Sequence, residues 1–146
     1  MKAIAEIIEG HPLIHANPSD NVRDVARLMS DRNIGAIAVL EAGRLVGVFS
    51  ERDIMARVVA AGLDPDATPV STVMSKQLVV AEADDDVNDA LQKMHEQKCR
   101  HLPVVRSGKL IGMLSIRDLL QVDDEQNRQR ASFLNELVTY SPDYES

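Results

Sequence analysis

Cysteine is nearly absent from this 146-residue chain. Cys99 stands alone, so no internal disulfide framework can form and a reducing, cytoplasmic setting is expected. Aromatic residues are almost as scarce: Phe49, Phe133, Tyr140 and Tyr144 are the complete set, too few for a base-stacking platform. No apolar run approaches the roughly eighteen residues of a membrane span. Near the amino terminus, Glu6 and Glu9 follow Lys2 and interrupt any signal-peptide core. Positive charge is in deficit, with 16 basic against 23 acidic residues and a net charge of −7. That balance argues against a general nucleic-acid or anionic-membrane binder. No Walker lysine loop, dinucleotide fingerprint or Ser-His-Asp order is present, and no nucleophile–base pair suggests a hydrolase. What is there is a chain 45% hydrophobic and 27% charged, the composition of a soluble globular protein about one domain long. Folding at this length should bury roughly 70% of the unfolded surface.

The strongest internal signal is a repeat at an offset of 65 residues. Gly43-Arg44-Leu45-Val46-Gly47 falls on Gly108-Lys109-Leu110-Ile111-Gly112, and Ser50-Glu51-Arg52-Asp53 on Ser115-Ile116-Arg117-Asp118. Without gaps, residues 13–54 match 78–119 at 13 of 42 positions: Leu, Ala, Asp, Val, Asp, Met, Val, Gly, Leu, Gly, Ser, Arg and Asp. Two copies are too few for a solenoid, so the pair is expected to close on itself about a pseudo-twofold axis.

Each copy reads as strand, helix, strand, strand, helix. Leu13–Ala16 and Leu78–Ala81 are short apolar strands. Val22, Val25, Ala26 and Met29, like Val87, Ala90, Leu91 and Met94, recur at helical spacing. Ala36–Leu40 with Leu45–Phe49, and Leu102–Val105 with Leu110–Leu114, form hairpins around Ala42-Gly43 and Ser107-Gly108. A second helix starts at Ser50 or Ser115. The fold class is α/β (α+β), with a parallel crossover and an antiparallel hairpin in each small sheet. The organisation expected is a first motif over 1–62, a linker over 63–69 holding two Pro and two Asp, a second motif over 70–122 and a tail over 123–146. Ile4, Ile7 and Ile8 suggest a short amphipathic helix, matched in place by Val70–Met74. In the tail, Phe133, Leu134, Leu137 and Val138 make one helical stripe, which packs on its own domain or forms a dimer contact. Met29, Met55, Met74, Met94 and Met113 are expected to fill core.

Ser50-x-x-Asp53 and Ser115-x-x-Asp118 match a capping box, in which serine and acid satisfy each other's backbone donors at a helix start. The alternative is a carboxylate that accepts both hydroxyls of a ribose, with the serine and the first-turn backbone donors facing phosphate. His95, Cys99 and His101 straddle a helix end and a strand, which is poor geometry for a four-ligand zinc site. His11 and His15 form no helical pair. Asp84, Asp85 and Asp86 precede a helix, where acids complement its dipole rather than bind calcium.

Two ordered strand-helix-strand-strand-helix copies, each closing in Gly-x-x-Ser-x-Arg-Asp, resemble the cystathionine-β-synthase (CBS) domain family. Arg100-His101-Leu102-Pro103-Val104-Val105 adds a second stretch typical of it. The resemblance covers about residues 1–122 and is nearest to small stand-alone bacterial proteins made of one CBS pair. It implies one CBS-pair module, packed from two pseudo-twofold related motifs and often dimerised into a disk. It also implies clefts that bind adenine nucleotides and a regulatory sensor rather than an enzyme. The ligands expected are AMP or ATP, with NAD(H) less favoured, and no obligatory cofactor or metal. No effector domain is expected in this chain, so an unknown effector protein would read the ligand state. The competing reading is a ligand-independent oligomerisation or interaction module.

Carried over residue by residue, the family's ribose aspartate falls on Asp53 and Asp118, and its hydroxyl residue on Ser50 and Ser115. Arg52 and Arg117 stand beside these aspartates as solvated helix-start arginines or as phosphate partners. Residues 93–117 carry Lys93, Lys98, Arg100, Arg106, Lys109 and Arg117 against Glu96, a local net of +5. Arg100 and His101 fall where family members place phosphate-contacting basic residues, whereas the first copy has Gly35 and Ala36 there. The resemblance therefore implies two clefts on unequal terms. Ile14, Val79 and Pro103 fall where the family lines its adenine pocket, and plain core packing explains them equally well.

Overall fold

The two long helices begin and end where their side chains allow no alternative. In the computed structural model, which describes residues 2–122 and 136–137, α2 spans Val22–Arg32 and α4 spans Val87–Gln97. Asn21 caps α2 by accepting from the Asp24 N–H at 2.8 Å. Asp86 and Asp89 cap α4 reciprocally, at 2.9 and 3.0 Å, so three backbone donors at the helix starts find side-chain acceptors. Both helices stop at a left-handed residue, Asn33 (φ 54°) and Lys98 (φ 52°). Asparagine tolerates that conformation; lysine pays more for it. The apolar stripes point inward, with Val22, Val25 and Met29 buried in α2 and Val87, Ala90, Leu91 and Met94 buried in α4.

Each copy builds a three-stranded sheet. β1 (His15–Ala16) pairs parallel with β2 (Ala36–Glu41), which pairs antiparallel with β3 (Arg44–Ser50). β4 (Ala81–Glu82), β5 (His101–Arg106) and β6 (Lys109–Ser115) repeat that order and register, including the same irregularity after Val39 and after Val104. β1 keeps only the last two residues of Leu13–Ala16, and β4 keeps only Ala81 of Leu78–Ala81 and runs on to Glu82, because these are the residues with ladder partners in β2 and β5. The hairpin turns hold two consecutive positive-φ residues, Ala42-Gly43 (50°, 79°) and Ser107-Gly108 (51°, 78°), the twist a two-residue connection needs between right-twisted strands.

The compact units are cut differently from the sequence repeats. One comprises Ile14–Leu78; the other joins the residues up to Leu13 to those from Val79 onward. The reason is backbone pairing by the segments that precede each copy. The helix α1 (Ile4–Ile7) sits on the second copy, where Ile4 N–H donates to Asp85 O at 2.8 Å and Ala5 N–H to Ala83 O at 3.0 Å. Likewise the 3₁₀ turn Val70–Thr72 sits on the first copy, with Val70 N–H donating to Asp20 O at 2.8 Å. Val48 and Ser75 then exchange two backbone bonds, at 3.0 and 2.8 Å. Glycine makes room for both segments. A Cβ on Gly47 would stand 2.3 Å from Met74 Sδ, and one on Gly112 would stand 2.8 Å from Ile8 Cδ1.

Each unit has its own core. The first gathers Val25, Met29, Ile37, Val39, Phe49, Val58, Val70 and Met74; the second gathers Ile4, Leu91, Met94, Leu102, Val104, Leu114 and Leu119. Three of the five methionines are buried as expected: Met29, Met74 and Met94. Met113 is half-buried. Met55 is a correction, 44% exposed in the π-helical stretch Ile54–Val59 that follows α3 (Glu51–Asp53), on a face turned away from the core. Of the tail stripe, Leu137 is buried in the second unit's core, as packing on its own domain requires; Phe133, Leu134 and Val138 lie outside the described residues.

Candidate functional site

Ser50 ends β3 and caps α3; Ser115 ends β6 and caps α5 (Ile116–Leu120). Both serines are in extended backbone and both boxes are complete. Asp53 N–H donates to Ser50 Oγ at 3.2 Å while Ser50 N–H donates to Asp53 Oδ2 at 2.9 Å. In the second copy the same bonds are 3.2 and 2.7 Å. The capping role is thus real in both copies. It also orients the acids, because the backbone bonds fall on Oδ2 and turn each carboxylate about its other oxygen.

The two helix starts are anchored to the strand beside them in the same way. Glu51 N–H donates to Gly35 O at 3.0 Å, and Ile116 N–H to Arg100 O at 2.8 Å. Ala36 is the cross-strand partner of Ser50, and His101 that of Ser115. The structure therefore brings Arg100, His101, Ser115, Arg117 and Asp118 to one corner of the second unit. The equivalent corner of the first unit holds Gly35, Ala36, Ser50, Arg52 and Asp53. The first-turn donors expected to face a phosphate are in large part engaged already, those of Glu51 and Asp53 in one copy and of Ile116 and Asp118 in the other.

Electrostatically the corners differ. Asp53 is the one buried charged residue among those described, 9% exposed. Burial pushes its carboxyl above the ordinary 3.8, against the opposing pull of the Ser50 hydrogen bonds, Arg57 and Arg52. Ser50 Oγ also lies 3.1 Å from Asp53 Oδ2, and Arg57 Nε lies 3.6 Å from Oδ1. Arg57 escaped the sequence reading, although its place four residues after Asp53 was a signal for a helical ion pair. It has no counterpart in the second copy, where position 122 is valine. There Arg100 and His101 stand on the strand side instead. Arg100 is half-buried, and its Nη2 donates to Leu137 O at 3.4 Å, a tail contact no local pattern announces. Beside it, His95 Nε2 stands 2.9 Å from Glu136 Oε2. Arg52 and Arg117 are exposed next to their aspartates.

The remaining candidates are apolar. Ile14 and Val79 precede β1 and β4, half-buried against the first and second cores respectively. Pro103 is buried in β5 opposite Met113. Cys99 packs against the second core, and burial pushes its thiol above the ordinary range. Among the described residues no group of three or more His, Cys, Asp or Glu could hold a metal ion, and no helix is long and apolar enough to cross a membrane.

A doubled βαββα unit closing in a capped Ser-x-Arg-Asp turn has a match among known families. The profile of the CBS domain fits residues 4–60 and again 70–125. The chain belongs to the CBS domain family. Among characterised sequences it is 37% identical over 121 residues to the CBS domain-containing protein YhcV of Bacillus subtilis, covering 83% of this chain and 85% of that one. Seven other curated relatives are longer, and this chain spans 18–62% of their length. Among solved structures, a putative signal-transduction protein with CBS domains from Burkholderia ambifaria superposes with a TM-score of 0.79 at 31% identity, over 86% of this chain and 97% of that one. The CBS domain protein PAE2072 from Pyrobaculum aerophilum, solved in complex with AMP, superposes with a TM-score of 0.77 at 30% identity, over 95% of this chain and all of that one. The two CBS motifs of this chain are the two copies described above.

Proposed function

We propose that this CBS pair is a regulatory module that binds an adenine nucleotide, AMP or ATP before NAD(H), and passes the ligand state to an effector protein. The observation that carries the reading is the AMP complex of the P. aerophilum protein, at 30% identity over nearly the whole chain. In this reading Asp53 and Asp118 accept the ribose hydroxyls, for which a carboxylate oriented by its own capping box is well suited. Ser50 and Ser115 sit beside the ribose. Arg52, Arg117, Arg100 and His101 compensate phosphate charge that a chain of net charge −7 otherwise repels. Ile14, Val79 and Pro103 contact the base. No step of catalysis is assigned. The chain works as a homodimer in the cytoplasm.

A second reading, a ligand-independent oligomerisation module, is favoured by one observation: both Ser-x-x-Asp boxes already satisfy their own backbone donors. A thermal-shift series with AMP, ATP and NADH, run beside light scattering, separates the two. A nucleotide at a hundred times its dissociation constant should add about 2.7 kcal/mol of stability. A dimer that no nucleotide stabilises favours the second reading. By calorimetry with AMP, Asp118→Ala and Asp53→Ala should each lose about ten- to a hundredfold at one site, the equivalent of about 1.5–3 kcal/mol. Arg100→Ala should weaken one site only. If each aspartate variant melts earlier yet binds AMP unchanged, the aspartates are caps and nothing more.

A further inference from the structure

We propose that Arg57 is a positioning residue of the first copy, holding the Asp53 carboxylate in the orientation and charge state that a ribose diol requires. The inference rests on the nucleotide reading above but concerns a residue to which that reading gives no part.

Three contacts carry it. Arg57 Nε faces Asp53 Oδ1 at 3.6 Å, the oxygen that the capping box leaves open. Arg57 Nη1 donates to the carbonyls of Val73 and Met74, at 3.3 and 3.2 Å. Those carbonyls belong to a segment that is itself fixed, by the paired backbone bonds of Val48 and Ser75 and by Met74 lying against Gly47. A planar guanidinium can bond backbone carbonyls through one nitrogen and face a carboxylate with another, which an ammonium cannot do from one position. The carboxylate is thus held on one oxygen by Ser50 and approached on the other by a cation that the fold anchors.

The backbone suits this role. Arg57 lies in a π-helical stretch, Ile54–Val59, directly after Asp53, whereas in the second copy α5 ends at Leu120, before the position that corresponds to Arg57. Single π turns are uncommon and frequent at functional sites. The need for a cation is also specific to this copy. Asp53 is the more deeply buried of the two aspartates, and among the described residues the charged groups acting on it are Arg57 and Arg52. Burial disfavours its charged form, and Arg57 opposes that. A ribose acceptor must be ionised to accept from two hydroxyls, so losing Arg57 should move the acid limb of binding toward higher pH.

The test is an NMR titration of the full-length protein, following the Asp53 carboxyl carbon against pH without ligand and then against AMP. Arg57→Gln should raise the Asp53 midpoint and weaken AMP at that site about two- to fivefold near neutral pH, as expected of a partly exposed ion pair. The loss should grow as pH falls. Arg57→Lys should restore the midpoint in part. The Asp118 site, where the position equivalent to Arg57 holds Val122, should bind AMP as before, which separates the effect from general unfolding. An unmoved Asp53 midpoint in Arg57→Gln overturns the proposal and leaves the nucleotide reading standing. So does a moved midpoint with AMP affinity unchanged at every pH. If AMP perturbs neither aspartate in the unmodified protein, the nucleotide reading falls and the ligand-facing role of Arg57 falls with it.

Discussion

The two CBS units share a register to the residue, yet they place different neighbours around the same aspartate. In the first, Asp53 is sunk to 9% exposure and its cation, Arg57, arrives from the helical side, anchored on Val73 and Met74. In the second, Asp118 is more open, and Arg100 and His101 stand on the strand side next to its serine cap. What this teaches is that a repeat conserves its backbone bonds more readily than its charges. The Ser-x-x-Asp box is fixed by donors that every helix start possesses, whereas the compensating cation can come from any element that reaches the corner.

The units also differ in what seals them, and the largest expected effect tests that difference. Leu137 is 3% exposed in the second unit's core, and the first unit has no such visitor among the described residues. Leu137→Ala should cost about 2–5 kcal/mol. By hydrogen exchange the loss should appear in α4 and β5 and leave α2 and β2 protected. Equal loss in both units would mean that they unfold together and that this contrast is not local.

A smaller effect probes the docked segments. A Cβ on Gly47 meets Met74 at three atoms, the closest at 2.3 Å, while one on Gly112 meets a single close atom of Ile8 at 2.8 Å. Gly47→Ala should therefore cost about 1–3 kcal/mol by overpacking, and Gly112→Ala less. Denaturant melts of the two variants decide it. If Gly112→Ala proves the more damaging, the Ile8 side of the comparison is the stiffer one.

The smallest effect lies at the helix ends. Asn33 and Lys98 hold the same left-handed position, and asparagine is at ease there. Lys98→Gly should gain about 0.5–1 kcal/mol by removing the Cβ conflict, and Asn33→Gly should gain less. Thermal melts of the pair measure the difference directly.

Much of the fold was legible because its causes are local. Apolar spacing marks α2 and α4, Asn21 and Asp86 stand where caps are needed, and Ala42-Gly43 and Ser107-Gly108 break the hairpins where the ladder turns. The Ser-x-x-Asp boxes were legible for the same reason, since both partners lie within one turn. Two first-turn donors expected to be open, those of Glu51 and Ile116, are engaged instead, because Gly35 and Arg100 lie next to them only through strand pairing.

The sequence by itself determined the two-copy βαββα order, the capped helix starts and the uneven supply of basic residues, because each depends on neighbours a few positions apart. Only the tertiary structure decided that α1 completes the second copy and Val70–Ser75 the first, that Arg57 finds the Val73 and Met74 carbonyls, and that Arg100 meets Leu137. Those choices join residues from about sixteen to eighty positions apart. They are made by whichever surfaces bury apolar area and satisfy backbone bonds together, and no local pattern records them.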